Sequence, residues 1–212
     1  MRLNLPAAKT KQLATSTSAE PVSIGLAPIW RADAKVLILG SLPGVASLQA
    51  AQYYAHPRNQ CWPILQHLFA IDASLPYLER IHCAQQQGIA FWDLVQSAKR
   101  RGSLDSAIIN KSIASNRLLE LLTELPKLQH IALNGQKAAE LFDKQRASDL
   151  ELQQWLLTHS LQCHRLPSTS PAHATLSLDE KLVYWRRALG ETPAKCSVEC
   201  SRGVENANKA NG

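Results

Sequence analysis

The side chains best suited to chemistry are concentrated in one short stretch, which begins with Gly40-Ser-Leu-Pro-Gly44 and ends with His56-Pro-Arg-Asn59. Two tyrosines lie between these ends. Glycines let the backbone approach a ligand closely, aromatic rings can stack on a planar ligand, and the amide of Asn59 can orient a water molecule. The stretch therefore predicts a ligand crevice with Asn59 as a candidate catalytic residue. A plain connecting turn and an N-cap asparagine would use the same residues, so a structural role stays open.

A second polar cluster follows later in the chain, where Pro167-Ser-Thr-Ser-Pro171 is followed by His173. Hydroxyls and exposed amides in such a loop suit phosphate oxygens, although an ordinary turn closed by serine and threonine would use the same residues. Lys99-Arg100-Arg101 fits either a solvated loop or a loop that faces nucleic acid. Asp93 ends an apolar run, where a carboxylate needs a partner or a function. Asp105 is the other carboxylate near these motifs.

The elements that must position these side chains alternate between strand and helix. Strands are predicted over residues 36–39, 88–95 (running into a loop), 130–133 and 161–166. Helices are predicted over residues 59–69, 115–124, 135–144 and 177–190, the last opened by a capping box of Ser177 and Glu180. Such alternation predicts a parallel sheet covered on both faces. The loops that follow strands, at residues 40–44, 134–135 and 166–173, should then meet at one edge of the sheet.

Length and composition favour one domain. A chain of 212 residues with 45% hydrophobic content can bury one full-sized core, which we expect over residues 23–191, between flexible tails at 1–22 and 192–212. The net charge of +6 fits a partner that carries phosphates but does not require one. No apolar run approaches the roughly 20 residues that span a bilayer, so we expect no membrane partner.

Cysteine usage and missing motifs narrow the chemistry further. Five cysteines at irregular spacing, with no CxxC pair, favour unpaired thiols in a reducing cytoplasm over a zinc or iron–sulfur site. We therefore expect a cytoplasmic protein without a metal. The patterns GxSxG, HExxH and GxGxxG are absent, as is the phosphate-binding loop GxxxxGK followed by serine or threonine. Their absence argues against the corresponding hydrolase, metalloprotease and nucleotide-binding classes.

Six segments, in the same order along the chain, resemble the uracil-DNA glycosylase superfamily. The resemblance is greatest to its hypoxanthine-DNA glycosylase (DNA-deoxyinosine glycosylase) branch. The matching segments are residues 40–44, 52–59 with Trp62, 88–93, 101–108, 133–135 and 166–173. The resemblance implies an α/β fold, a three-layer α/β/α sandwich with a short, mainly parallel central sheet. It also implies a monomeric, monofunctional DNA N-glycosylase, without metal or cofactor, that flips a deaminated base out of DNA and hydrolyses its N-glycosidic bond.

The same resemblance assigns roles to individual residues. Leu42 stands where mismatch-specific uracil glycosylases carry a water-positioning asparagine, and Leu166 stands where the second motif usually begins with histidine or asparagine. Both departures agree with the hypoxanthine branch and transfer the catalytic role to Asn59. The implied base pocket consists of Gly40, Ser41, Leu42, Pro43, Gly44, Tyr54, His56, Trp92, Asp93 and Asn134. Ser168 and Ser170 would hold flanking phosphates. His173 would contact a phosphate or the leaving purine, and Leu176 would wedge into the vacated base stack.

Release of hypoxanthine from deoxyinosine in DNA is the first function that these residues suggest. A glycosylase for uracil or T:G mismatches is an alternative on the same scaffold, although Leu42 argues against it. A catalytically silent DNA-binding module would fit the basic charge and the missing motif residues. A nucleotide-binding metabolic protein would fit only the α/β pattern and the loops.

Overall fold

The computed structural model describes residues 20–190. In chain order the strands are β1 (Val22–Ile24), β2 (Val36–Gly40), β3 (Ile89–Asp93), β4 (Val95–Lys99), β5 (Ala114–Ser115), β6 (His130–Asn134) and β7 (Gln162–Leu166). The helices are α1 (Val45–Ala50), α2 (Cys61–Phe69), α3 (Tyr77–Gln86), α4 (Leu118–Thr123), α5 (Gln136–Ser148), α6 (Leu150–Thr158) and α7 (Leu178–Leu189). Two short 3-10 helices cover Asp105–Ala107 and Asn110–Ser112.

A parallel four-stranded sheet forms the centre of the molecule, in the order β3-β2-β6-β7. The strand β2 is buried along its whole length, as expected for a strand with helices on both faces. Its last residue, Gly40, pairs with Asp93 at the end of β3. The register therefore brings the loops that follow these two strands to the same edge. A second, antiparallel sheet of β1, β4 and β5 lies beside this edge of the fold.

Alternate residues of β2 divide the hydrophobic core into two clusters, because successive side chains of a strand point to opposite faces. Val36 and Ile38 belong to a cluster that includes residues of α2, α3 and α7. Leu37 and Leu39 belong to the other cluster, with residues of α4, α5 and α6. The protein is therefore a three-layer α/β/α sandwich with a short parallel central sheet, which confirms the predicted fold class.

The elements expected from the sequence are present with shifted ends. The predicted strand over 88–95 ends at Asp93, and Val95 begins β4, which pairs in the other sheet. The helix predicted from residue 115 begins at Leu118, because Ala114–Ser115 forms β5. The capping box of Ser177 and Glu180 is confirmed at the start of α7.

Several elements were not predicted, namely β1, α1, α3 and α6, together with the pairing of β4 and β5. In α3 only Ile81, Cys83 and Ala84 are buried, and in α6 only Leu152 is. A helix with so narrow a buried face has a weak apolar period. These helices therefore gave little signal in the sequence.

The described residues run from 20 to 190, so most of each proposed tail lies outside them. Cys196 and Cys200 lie outside them as well. The strand β1 begins at Val22, so the expected boundary between residues 22 and 23 falls inside this strand. Within residues 20–190, no helix has the length and apolar character needed to cross a membrane.

Candidate active site at the carboxyl edge of the sheet

A cavity of about 620 Å³ opens at the carboxyl ends of the parallel strands. The loops that follow β2, β6 and β7 all contribute to its wall. All but two of the residues expected at the site line it: Gly40, Ser41, Leu42, Pro43, Gly44, Tyr54, His56, Asn59, Asp93, Asn134, Ser168, Ser170 and His173. The topology of the sheet has thus brought together side chains that lie more than a hundred residues apart in sequence.

Trp92 is the expected base-pocket residue that does not line the cavity. It packs instead against the hydrophobic cluster that contains Leu37 and Leu39, on the face of the sheet covered by α4 to α6. Side chains alternate along β3, so Asp93 at the cavity wall requires Trp92 to point the other way. The suggested contact between Trp92 and a base is therefore corrected to a packing role. Leu176, the suggested wedge, is half-buried and also lies outside the cavity wall.

Asn59 combines a structural contact with a place in the cavity wall. Its Oδ1 accepts a hydrogen bond from the backbone N–H of Cys61, at 2.9 Å, where α2 begins. Its own N–H donates to the carbonyl of His56 at 2.8 Å. These two bonds fix the position of the side chain at the start of the helix. The N-cap of α2 is Gln60, without a side-chain cap, so Asn59 stands one residue earlier and its Oδ1 satisfies the first free N–H of the helix. Asn59 also lines the cavity.

The ring of His56 is oriented by its own turn. Its Nδ1 lies 3.1 Å from the backbone nitrogen of Arg58, which can only donate. In the neutral imidazole the proton must therefore be on Nε2. His56 thus offers a hydrogen-bond donor on a residue that lines the cavity.

Arg100 donates two hydrogen bonds to the backbone of the loop after β2. This side chain is only 1% exposed, its Nη1 donates to the carbonyl of Leu42 at 3.1 Å, and its Nη2 donates to the carbonyl of Pro43. The expectation of a solvated basic loop is wrong for Arg100 and fits Arg101, which is exposed and pairs with Glu20. Ala98 and Arg100 are both buried and Lys99 between them is exposed, so the alternation of side chains at the end of β4 continues to Arg100.

Two carboxyl groups stand beside this loop. The Oδ1 of Asp105 accepts a hydrogen bond from the hydroxyl of Ser41 at 2.6 Å. The other carboxyl, Asp93, is 4% exposed, and its Oδ2 has no hydrogen-bond partner among the described residues. Burial raises the pKa of both carboxyls, and for Asp93 burial together with the nearby charge of Asp105 raises the pKa to about 7. Asp105 lines the cavity as well.

Glycine is required at the end of β2 because of Asp93. A Cβ atom on Gly40 would lie 2.2 Å from Oδ1 of Asp93, which is far inside contact distance. Next to them, the buried hydroxyl of Tyr54 lies beside the Asn134 side chain without forming a hydrogen bond of ordinary geometry. Burial raises the pKa of Tyr54 well above its ordinary value, so this hydroxyl keeps its proton.

Asn134 braces the loop after β7. Its Oδ1 accepts a hydrogen bond from the N–H of Thr169 and its Nδ2 donates to the hydroxyl of the same residue, both at 2.9 Å. Gly135 follows with a φ of 103°, and a Cβ there would lie 2.9 Å from Cβ of Ser168. The two loops are therefore in close contact. Thr169, which is 1% exposed, was missed as a bridging residue by the sequence analysis.

Lys181 of α7 was also missed. It is 1% exposed, and its Nζ donates to Oε1 of Gln60 at 2.6 Å and to the carbonyl of His173 at 2.9 Å. The N–H of Gln60 in turn donates to the carbonyl of Thr169 at 2.9 Å. One buried ammonium thus ties the residue next to Asn59 to the loop that carries His173. Its position in an ordinary amphipathic helix gave no signal in the sequence.

Across residues 20–190, no group of three or more histidine, cysteine, aspartate or glutamate side chains lies close enough together to hold a metal ion.

Comparison with known proteins gives relatives of one family. The model of the uracil DNA glycosylase superfamily matches residues 28–189. A protein named hypoxanthine DNA glycosylase from Methanosarcina barkeri is 34% identical over 117 residues, which is 55% of this chain and 73% of that protein. A protein of the same name from Methanosarcina acetivorans is 32% identical over the same shares of the two chains.

The fold agrees with these relatives. The solution NMR structure of a candidate uracil DNA glycosylase from Methanosarcina acetivorans superimposes with a TM-score of 0.62 at 27% identity. The match covers 79% of this chain and 99% of that structure. The resemblance in the site loops, the family match over most of the chain and the shared fold agree, and the chain belongs to the uracil DNA glycosylase superfamily.

Proposed function

We propose that this chain, a DNA N-glycosylase of the superfamily, releases hypoxanthine from deoxyinosine in DNA and leaves an abasic site. The observation that carries the proposal is the position of Asn59 in the wall of a cavity where Leu42 replaces the usual water-positioning residue. Leu42 is 5% exposed and has no polar atom in its side chain with which to hold a water. The names of the two Methanosarcina relatives support the same substrate.

The cavity would take up a nucleotide flipped out of the duplex. A volume of about 620 Å³ is within the range of small-molecule sites and accommodates a purine with its sugar. Gly40 to Gly44 would form one wall of the pocket, with the hydroxyl of Tyr54 and the Nε2–H of His56 near the base. Asn134 and Asp93 would lie at the floor, where Asn134 also braces the loop after β7.

Asn59 would hold the water that attacks the sugar. The bond between C1′ and the base lengthens toward a sugar cation, and a positioned water then adds to C1′. The hydrogen bond from Cys61 uses one lone pair of the Asn59 Oδ1. The amide retains its other lone pair and its two N–H donors, which is enough to orient a water molecule.

The loop after β7 would hold the DNA backbone. The hydroxyl oxygen of Ser168 accepts a hydrogen bond from the N–H of Ser170, and that of Ser170 accepts one from Ala172. Both hydroxyl hydrogens therefore remain available as donors to phosphate oxygens. His173 lines the same cavity and would contact a phosphate or the leaving base.

A cleavage assay on four duplexes tests this proposal. Each duplex carries one lesion, which is deoxyinosine, deoxyuridine, deoxyxanthosine or a T:G mismatch, and alkali converts abasic sites into strand breaks. We expect deoxyinosine to be cleaved fastest. Cleavage of uracil or T:G without deoxyinosine would assign the site to pyrimidines instead. DNA binding without product from any duplex would contradict an enzyme and identify a silent DNA-binding module.

A further inference from the structure

One oxygen of the buried Asp93 carboxyl is left without a partner at the cavity wall. Oδ1 packs so tightly on the backbone of Gly40 that a Cβ there would lie 2.2 Å away. Oδ2 is buried and accepts no hydrogen bond from any residue between 20 and 190. The side chain has 4% of its surface exposed, and the residue lines the cavity. An unpaired polar atom in such a position requires an explanation, which a ligand can provide.

The charged and titratable groups around Asp93 do not supply a partner for a carboxylate. Arg100 is the nearby cation, but both of its Nη atoms donate to the backbone carbonyls after β2. Asp105 adds negative charge and is itself bonded to the hydroxyl of Ser41. Tyr53 and Tyr54 also face Asp93, and burial raises the pKa of both, so they stay neutral.

An ionised Asp93 would therefore be a buried anion without a hydrogen-bonded counterion. Such a group lowers its free energy by taking up a proton. Consistent with this, burial and the neighbouring Asp105 raise the pKa of Asp93 to about 7. A substantial share of the molecules carries the acid form near neutral pH. The protonated Oδ2 is then a hydrogen-bond and proton donor on a residue that lines the cavity.

We propose that Asp93 donates this proton from Oδ2 to N7 of the leaving purine as the glycosidic bond breaks. The inference rests on the proposed function. The C1′–N9 bond breaks and its electron pair moves into the purine ring, while the proton of Asp93 forms a bond to N7. Water adds to C1′, and its released proton returns to Asp93 either directly or by way of solvent. The products are neutral hypoxanthine and an abasic site, and the acid is restored.

The chemistry of the leaving group explains why a proton donor is useful here. Without it, the purine would leave as an anion next to a site that already holds Asp93 and Asp105. A proton on N7 removes that charge and makes the purine a better leaving group. Uracil has no ring nitrogen with a free lone pair in its nucleoside form. A purine therefore offers this proton a ring-nitrogen acceptor that uracil lacks.

A pH–rate comparison of wild type and Asp93→Asn tests the proposal. Asparagine keeps the size of the side chain and can accept or donate hydrogen bonds, but it cannot transfer a proton. Single-turnover cleavage of a deoxyinosine duplex is measured from about pH 5 to about pH 9. We expect the wild-type rate to fall as the pH rises through about 7, because the acid form of Asp93 is lost there. The variant should be about 100-fold slower at low pH and should lack this fall.

A second substrate tests where the proton goes. In 7-deaza-2′-deoxyinosine a carbon replaces N7, so the base cannot accept a proton at that atom. The wild-type protein should cleave the 7-deaza substrate about as slowly as Asp93→Asn cleaves deoxyinosine. The cleavage rate of Asp93→Asn should be nearly the same on the two substrates. The proposal would be overturned if Asp93→Asn reduced the cleavage rate by the same factor on deoxyinosine and on the 7-deaza substrate. So would a variant that keeps the wild-type rate and pH profile on deoxyinosine.

Controls separate this outcome from misfolding and from failure of the proposed function. Asp33→Asn changes an aspartate just before β2, at the opposite end of that strand from the cavity, and should leave rate and pH profile unchanged. The Asp93→Asn protein should keep its Tm and its affinity for a duplex with non-cleavable 2′-fluoro-deoxyinosine. If wild type itself cleaves no deoxyinosine at any pH, the proposed function fails and this inference fails with it. If wild type cleaves deoxyinosine but Asp93→Asn does not show the expected rate and pH profile, only this inference fails and the proposed function stands.

Discussion

One asparagine serves two purposes at the edge of the cavity. Asn59 accepts the N–H of Cys61 at the start of α2 and also lines the cavity wall. Sequence alone could not separate a capping role from a catalytic one, because both place the same amide at a helix start. The structure shows that the two are compatible, since the capping bond uses only one lone pair of the amide oxygen.

Two adjacent arginines have opposite environments. Arg100 is buried and donates to the carbonyls of Leu42 and Pro43, whereas Arg101 is 73% exposed in its side chain and pairs with Glu20. From the composition alone, Arg100 and Arg101 would both be expected at the surface as basic residues. Only the alternation along β4 distinguishes them, because it turns Arg100 inward toward the loop after β2.

Replacement of Arg100 by methionine should destabilise the protein and loosen the loop at the cavity wall. Methionine keeps apolar volume but leaves two buried carbonyls unpaired, at a cost of about 1–3 kcal/mol for each. The free energy of unfolding from urea titration should fall by about 2–6 kcal/mol. The matched variant Arg101→Met should lose less than about 1 kcal/mol, because it removes only an exposed ion pair. Equal losses in the two variants would contradict the assigned role of Arg100.

At the scale of elements, the sequence predicted the parts that build the site. The apolar runs of β2 and β6, the glycines at their ends and the polar loop after β7 indicated a parallel sheet with loops meeting at one edge, and the cavity lies there. The antiparallel pairing of β4 and β5 was not predictable in this way. The two strands belong to separate segments of the chain, and β5 has only two residues, both exposed.

The helix α7 contributes a buried polar residue to the site as well as an apolar face to the core. Lys181 projects from it to join the start of α2 to the loop that carries His173. An amphipathic pattern identifies the helix but not a buried lysine within it, because lysine is rarely buried unless it is paired. Of its two acceptors, Gln60 is 121 residues away in sequence, whereas His173 is only 8 residues away.

Lys181→Met should therefore weaken both stability and catalysis. The substitution leaves Oε1 of Gln60 and the carbonyl of His173 without their donor, and we expect a loss of about 2–4 kcal/mol in the free energy of unfolding. Cleavage should slow as well, since the start of α2 and the loop after β7 are no longer held together. Arg187→Met, an exposed change on the same helix, should cost no more than about 0.5 kcal/mol and leave the rate unchanged. A rate equal to wild type for Lys181→Met in a stable protein would contradict this coupling.

Across the whole molecule, the sheet separates two hydrophobic cores and gathers the polar residues at one edge. The alternation of strands and helices was sufficient to predict this layout. It could not predict which polar groups would meet beneath the loop after β2. The bond between Ser41 and Asp105 joins residues 64 positions apart, and the direction of Trp92 depended on which residue of β3 faces the cavity. Such contacts depend on the register of the strands, which the pattern of apolar and polar residues does not determine by itself.

Two substitutions of Asn59 test whether its amide positions the attacking water. Single-turnover cleavage of a deoxyinosine duplex is compared for wild type, Asn59→Ala and Asn59→Ser, together with the Tm of each. Serine can still accept the N–H of Cys61 at the start of α2 but has no amide, whereas alanine loses both this hydrogen bond and the amide. We expect both variants to be at least about 100-fold slower, with a stability loss of about 1 kcal/mol for alanine only. Cleavage by Asn59→Ser at the wild-type rate would show that Asn59 acts only as a helix cap and would contradict the account.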